Sequence, residues 1–478
     1  MVLPLREIAL RAATLESVAG VPVTCLHNLP GDIIDELLIK ITQKGGSWSH
    51  EWEIFLTPKI RRLLVPWDVK LFRKIGEKCR SLEMIYVTSH DVKFTATPLR
   101  HLPQGLHTVD LSGEVFYAGD ELPKPQGNLP WLMEVDYWLR RIEIQVQRPV
   151  HSKLQGLCRL HLGRASASSL ELIEVLKQFP NLILLRHYQM VTALCQLHME
   201  QWKEDSSSLP RYKLTNIDAD FSHVVRCRMS PKAVLPPEAL RLSAILCPEA
   251  TSIRLRFDTS TPHHVVGHLT LLKTITDISA VCVTSGERTL LDFQDFVPLL
   301  DQFGSTTLRA LEFKVVEEVD PHVILRSCKR LEQLTLSGCG FAQNCSGPPR
   351  CRPGPSLNLL KVLFFADGDD FSWDHTLPQC FWLSILAGSK HRNSRLHGLF
   401  LESPRMTEDT LSAVLGQEAS FPQLQTVCTR RAPELGIARL AELVRAAPTL
   451  SYLRTDGIGS GPAAGLKRRN RKLIVKLD

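Results

Sequence analysis

Apolar residues recur along this chain in a short fixed pattern. Its clearest copy places leucine at Leu331, Leu334 and Leu336, then Cys339 and Phe341, with polar residues at most positions between. Alternation of that kind predicts a short strand with Leu334 and Leu336 on one face. Leu331 packs at the strand's start, Cys339 sits where a small side chain supports a buried turn, and Phe341 fills the next layer. Weaker copies read Leu82/Ile85/Val87, Leu106/Val109/Leu111, Leu157/Leu160/Leu162, Leu209/Tyr212/Leu214, Ile278/Val281/Val283 and Leu308/Leu311/Phe313. Further copies are Leu360/Leu363/Phe365, Leu396/Leu399/Leu401, Leu424/Val427 and Leu450/Leu453, with Leu182/Leu185 and Ile253/Leu255 as partial matches. Successive copies are mostly about 23 to 30 residues apart.

Helical spacing appears between these strands. Leu411, Val414 and Leu415 share one face of residues 407–415, residues 435–444 read the same way, and residues 169–176 follow with Ser169 as candidate N-cap. The pattern resembles the leucine-rich repeat of the ribonuclease-inhibitor-like subtype. That resemblance implies an α/β fold, an irregular solenoid of about a dozen repeats with parallel strands on its concave side. The expected organisation is a helical region over 1–75 and the solenoid over 76–478. Residues 117–130, 203–210 and 344–355 interrupt the period and are expected as surface loops.

The first forty residues differ. Leu5, Ile8, Ala9 and Ala12 share a face of a helix that opens at Pro4, and Pro30 opens a second helix whose apolar stripe includes Ile33, Ile34, Leu37, Leu38 and Ile41. Pro4, Leu5, Ala9 and Ala13 fit the elongin BC-box spacing, with Ala9 where cysteine is usual. Leu29, Pro30, Ile33 and Leu37 fit the cullin-2 box. The order of the two boxes followed by leucine-rich repeats resembles PRAME-like and ZYG-type substrate receptors of cullin-2 ubiquitin ligases. The resemblance implies that Leu5, Ile8, Ala9 and Ala13 contact elongin C in its complex with elongin B. It implies likewise that Leu29, Pro30, Ile33 and Leu37 face cullin-2, and that the repeats hold a protein substrate. Two other readings stay open: an N-terminal cap on a scaffold or inhibitor without ligase association, and an F-box-type receptor, whose continuation Trp48 and Trp52 fit poorly.

Composition narrows the function classes. The chain has 478 residues, 44% of them hydrophobic and 22% charged, which suits a folded protein. A net charge of +7 is mild for this length, and neither nucleic acid nor membrane is expected as partner. The start of the chain carries Arg6 and Glu7, so no secretory apolar run forms, and a cytoplasmic or nuclear location is expected, with the thirteen cysteines as reduced thiols. No phosphate loop or nucleophile elbow is present. His263, His264 and His268 cluster, as do Cys339, Cys345 and Cys351, but neither set converges enough for a metal. The expectation is a non-enzymatic binding protein with no cofactor and no metal. Lys467–Lys472 is the densest basic run, read as a localisation signal or solvated tail, and Leu473–Val475 as a last strand.

Overall fold

The computed structural model describes residues 31, 33–35, 56–87, 94–111, 156–162, 167–221, 235–257, 263–282, 291–342, 359–366, 379–386, 395–402, 408–415, 420–432, 435–456, 460–470 and 472–477. The chain divides into two compact units: Met1–Leu122 with Val150–Ala219 and Ile245–Pro248, and Pro123–Pro149 with Asp220–Ala244 and Glu249–Asp478.

The first unit contains β1 (Arg62–Val65), α1 (Val69–Lys78), β2 (Met84–Val87), β3 (Thr108–Asp110), β4 (Arg159–His161), α2 (Ser169–Gln178), β5 (Leu184–Arg186) and α3 (Met190–Glu204). Its strands form a parallel sheet in the order β1-β2-β3-β4-β5. Register stacks Leu63, Ile85, Val109, Leu160 and Leu185 side by side, and all five are fully buried. β6 (Asn216–Asp220) and α4 (Ala239–Leu246) carry the chain across the division between units.

The second unit continues with β7 (Ser252–Phe257), β8 (Asp277–Cys282), β9 (Leu291–Asp292), α5 (Val297–Phe303), β10 (Ala310–Lys314), β11 (Val316–Glu317), α6 (Pro321–Ser327) and β12 (Gln333–Ser337). Then come β13 (Val362–Ala366), α7 (Gln379–Leu386), β14 (Gly398–Glu402), α8 (Glu408–Leu415), β15 (Thr426–Arg430), α9 (Ile437–Ala446), β16 (Tyr452–Thr455), α10 (Ser460–Arg469) and β17 (Ile474–Leu477). The sheet runs β7-β8-β10-β12-β13-β14-β15-β16-β17, all parallel, while β9 and β11 form a small ladder of their own. The molecule is therefore a mixed α/β structure built on parallel sheets.

One hydrogen-bond device holds successive strands in step. The carbonyl just before a strand accepts two consecutive N–H groups of the next strand's start. Arg309 O takes Glu332 and Gln333, Glu332 O takes Lys361 and Val362, Lys361 O takes His397 and Gly398, and His397 O takes Gln425 and Thr426. Arg61, Glu83, His107 and Cys158 play the same part in the first unit. The leucines that lead each strand, Leu82, Leu106, Leu157, Leu182, Leu308, Leu331, Leu360, Leu396, Leu424 and Leu450, are buried. Each removes apolar area worth about 1.5–3 kcal/mol from water.

The strand copies at Leu82, Leu106, Leu157, Leu182, Ile253, Leu308, Leu331, Leu360, Leu396, Leu424 and Leu450 lie where the pattern puts them, and residues 473–475 lead into or join β17. Two copies are corrected. Leu209/Tyr212/Leu214 precedes the strand; β6 begins at Asn216, with Leu214, Ile217 and Ala219 buried. Ile278/Val281/Val283 is three residues late, since Ile275 leads β8 and Ile278, Ala280 and Cys282 point inward. Small inward residues disguised both. The first strand, led by Ile60 with Leu63 and Val65 inward, lies upstream of every copy read from the sequence. The cap of α2 is Ser168, one residue before Ser169, in a capping box with Glu171. Residues 203–204 belong to α3 and Ser206–Ser208 to a short 3₁₀ turn; residues 117–130 and 344–355 lie outside the described residues.

A left-handed residue follows equivalent strand ends. Lys314 pairs with Ser337, and Ser337 lies in the register row that reaches Arg430. The next residues, Val315, Gly338 and Arg431, have φ of 58°, 58° and 49°. Val315 and Gly338 use their N–H groups to reach the neighbouring strand, on Ser337 O and Ala366 O, both at 2.8 Å. Only Gly338 meets this turn without steric cost. Gly338→Ala is expected to lower stability by about 1–2 kcal/mol, read by urea unfolding; unchanged stability would show that the turn relaxes freely.

On α3, His198 is 7% exposed. Its Nδ1 lies 3.4 Å from Gln201 Oε1 and its Nε2 2.8 Å from the Tyr212 hydroxyl. Gln201 in turn donates to Ser208 O at 3.1 Å, so the residues after α3 are fastened to the helix. Burial pulls the imidazole below its ordinary value of 6.5, and the Gln201 hydrogen bond offsets this only in part. Below pH 6.5 the unfolded chain takes up a proton that the folded ring refuses. Stability is thus complete above that pH and declines as the pH falls toward the folded value. His198→Gln should flatten this part of the stability–pH curve; an identical slope in the variant would remove His198 as its source.

Candidate interaction surface

Period-two strands put alternate side chains on opposite faces. In the second unit the inward row meets the helices. Leu399, Leu401 and Val427 of the sheet line a small apolar cavity with Leu411, Val414 and Leu415 of α8 and Leu443 of α9. The other face carries the positions between, and register joins them into rows. One row reads Arg254, Ser279, Glu312, Thr335, Phe364, Phe400, Cys428, Arg454 and Lys476.

This face changes character along its length. From β7 to β12 it is mostly polar and half-exposed: Ser252, Arg254, Arg256, Asp277, Ser279, Glu312, Lys314 and Gln333, with Val281 and Ala310 among them and Thr335 buried. Ser279 Oγ donates to Glu312 Oε2 at 2.5 Å, and Lys314 Nζ lies 2.6 Å from Glu312 Oε1. Burial pushes the Glu312 carboxyl up, but the Lys314 ammonium, the hydrogen bonds from Lys314 and Ser279 and the charge of Arg254 outweigh it. The group stays ionised below its ordinary value. Arg256 lies 3.9 Å from Asp220. The ions therefore neutralise one another in a cross-strand lattice.

From β13 to β16 the same face turns largely apolar, with Glu402, Arg430 and Arg454 as charged members. Val362, Phe364, Ala366, Phe400, Cys428 and Tyr452 form one cluster, none more than 6% exposed. Strands buried on both faces read as continuous apolar runs, as residues 362–366 do. At the far side of this cluster Arg430 Nη1 lies 3.0 Å from Glu402 Oε1.

In the first unit the corresponding row reads Leu64, Tyr86, Asp110, His161 and Arg186. Leu64 and Tyr86 are buried together. His161 Nδ1 lies 3.4 Å from Asp110 Oδ1, and Arg186 lies 4.0 Å from Asp218. None of these outward residues was singled out in the sequence. Their signal was the unspecified positions within each leucine pattern, which become a surface only once the register is known.

The N-terminal site residues are placed only in part. Leu5, Ile8, Ala9, Ala13, Leu29, Pro30 and Leu37 lie outside the described residues. Ile33 is helical and half-buried, beside Gly31, Ile34 and Asp35, also helical. Ile34 is 1% exposed, and Asp35 Oδ1 accepts the Arg61 N–H at 3.2 Å. A Cβ on Gly31 would stand 2.4 Å from Lys59 O. This helix thus presses Gly31 and Asp35 against the chain leading into β1, with Ile34 buried beside them.

Other chemistry weighed in the sequence takes these positions. Cys339 is buried, with Sγ 3.5 Å from Phe313 O, and Phe341 stacks on Phe365 at 6.3 Å between ring centres. Burial pushes the Cys339 thiol up to about 11, and those of Cys79, Cys195 and Cys328 to about 12, so these thiols stay protonated and are poor nucleophiles. His263 and His268 fall in one 3₁₀ segment. Among the described residues no group of three or more His, Cys, Asp and Glu could hold a metal ion, and no helix is long and apolar enough to cross a membrane. Lys467 and Arg468 are exposed on the last turn of α10.

No family model matches the chain, and no curated protein matches it. Among solved structures it is similar to one described as "Crystal structure of Rad7 and Elc1 complex in yeast", at 13% identity, over 98% of this chain and 93% of that one, with a TM-score of 0.45. A likeness of that degree assigns neither fold nor function.

Proposed function

We propose that this chain is a leucine-rich repeat solenoid acting as the substrate receptor of a cullin-2, elongin B and elongin C ubiquitin ligase. The stacked parallel strands, most of them led by a buried leucine, support the repeat assignment. A target protein is held on the sheet face opposite the helices, and the N-terminal helices dock on the ligase. The mechanism is proximity: the receptor raises the target's effective concentration at the ubiquitin-charged enzyme. No residue of the chain performs covalent chemistry.

The observation that carries the ligase reading is the helix at Gly31, Ile33, Ile34 and Asp35. At about 100° per residue, Ile33 is turned roughly 100° away from Ile34 and roughly 160° away from Gly31 and Asp35. Gly31 and Asp35, which meet Lys59 and Arg61, therefore lie on a different side of the helix from Ile33. One helix can cap the repeats and still offer Ile33 to a partner.

The test uses the full chain with elongin B, elongin C and cullin-2. Leu5→Ser should lose elongin capture. Ile33→Asp should keep the elongins and lose cullin-2, with the unfolding transition unchanged. Ile34→Asp should instead destabilise the chain by about 3 kcal/mol or more, because it buries a charge. Undiminished capture by both Leu5→Ser and Ile33→Asp would leave the second reading, a capped scaffold or inhibitor without a ligase, which the packing of Gly31 and Asp35 also favours.

A further inference from the structure

We draw no further inference here: the strongest candidate, the apolar sheet face of β13–β16 formed by Val362, Phe364, Phe400, Cys428 and Tyr452, is buried, and nothing among the described residues shows what covers it.

Discussion

Asn216→Ala is expected to destabilise the chain by about 4 kcal/mol. Asn216 is fully buried at the start of β6, and its side chain takes the place of a backbone partner. Its Oδ1 accepts the Leu185 N–H at 3.1 Å and its Nδ2 donates to Leu185 O at 2.8 Å. The amide also lies 3.6 Å from Met190 Sδ. A carboxamide carries an acceptor and a donor side by side, so it can pair both the N–H and the C=O of one residue, here Leu185. Leu185 is itself fully buried, so no water replaces the lost partner. Each orphaned backbone group costs about 1–3 kcal/mol, and alanine orphans two.

The readouts are urea unfolding and hydrogen exchange at the Leu185 amide, which should lose its protection first. Asn216→Asp separates the two bonds. Its carboxylate can still accept the N–H but faces the Leu185 carbonyl with negative charge, so its deficit should shrink in acid, where a protonated carboxyl donates. A loss below about 1 kcal/mol for Asn216→Ala would mean that backbone or water takes over both bonds.

This residue also shows why the sequence was only partly legible. Asparagine at 216 follows Leu214 in a stretch with Pro210, and the eye finds Leu209, Tyr212 and Leu214 first. The strand starts later because Ile217 and Ala219, not Tyr212 and Leu214, occupy the inward positions. Where the inward residues are large, as at Leu334 and Leu336 or Leu363 and Phe365, pattern and register agree to the residue. Where they are small, as at Ala280 and Cys282, the alternation loses contrast and the register slips. The outward face was illegible for a different reason. Thr335 and Phe364 are neighbours in register but lie far apart in sequence, and the shift from polar to apolar between β12 and β13 exists only across strands. On the N-terminal helix the sequence supplied a stripe broad enough for two faces. Only the burial of Ile34 and the contacts of Gly31 and Asp35 with the segment before β1 divide it.

Gly76→Ala should lower stability by about 2–4 kcal/mol, although alanine is the better helix former. Gly76 lies near the end of α1, whose start is fixed by Asp68 accepting the N–H groups of Lys70 and Leu71 at 2.7 and 3.0 Å. Leu71, Phe72 and Ile75 turn the helix inward, so Gly76 meets the backbone of the 3₁₀ turn Thr97–His101. A Cβ there would stand 1.7 Å from His101 O and 3.0 Å from its carbon. Backbone, unlike a long side chain, cannot step aside locally. The turn must retreat by about an ångström or more, drawing buried Leu99 and Leu106 with it, at an overpacking cost that exceeds the gain in propensity of about 1 kcal/mol. Gly465 isolates that gain. It is exposed on α10, with nothing within 4 Å of the added carbon. Gly465→Ala should therefore raise stability by about 0.5–1 kcal/mol. The two substitutions are chemically identical and opposite in expected sign, and thermal unfolding of both reads the difference. Equal effects would show that helix α1 is free to move away from the turn, and that its close approach does not hold the first unit together.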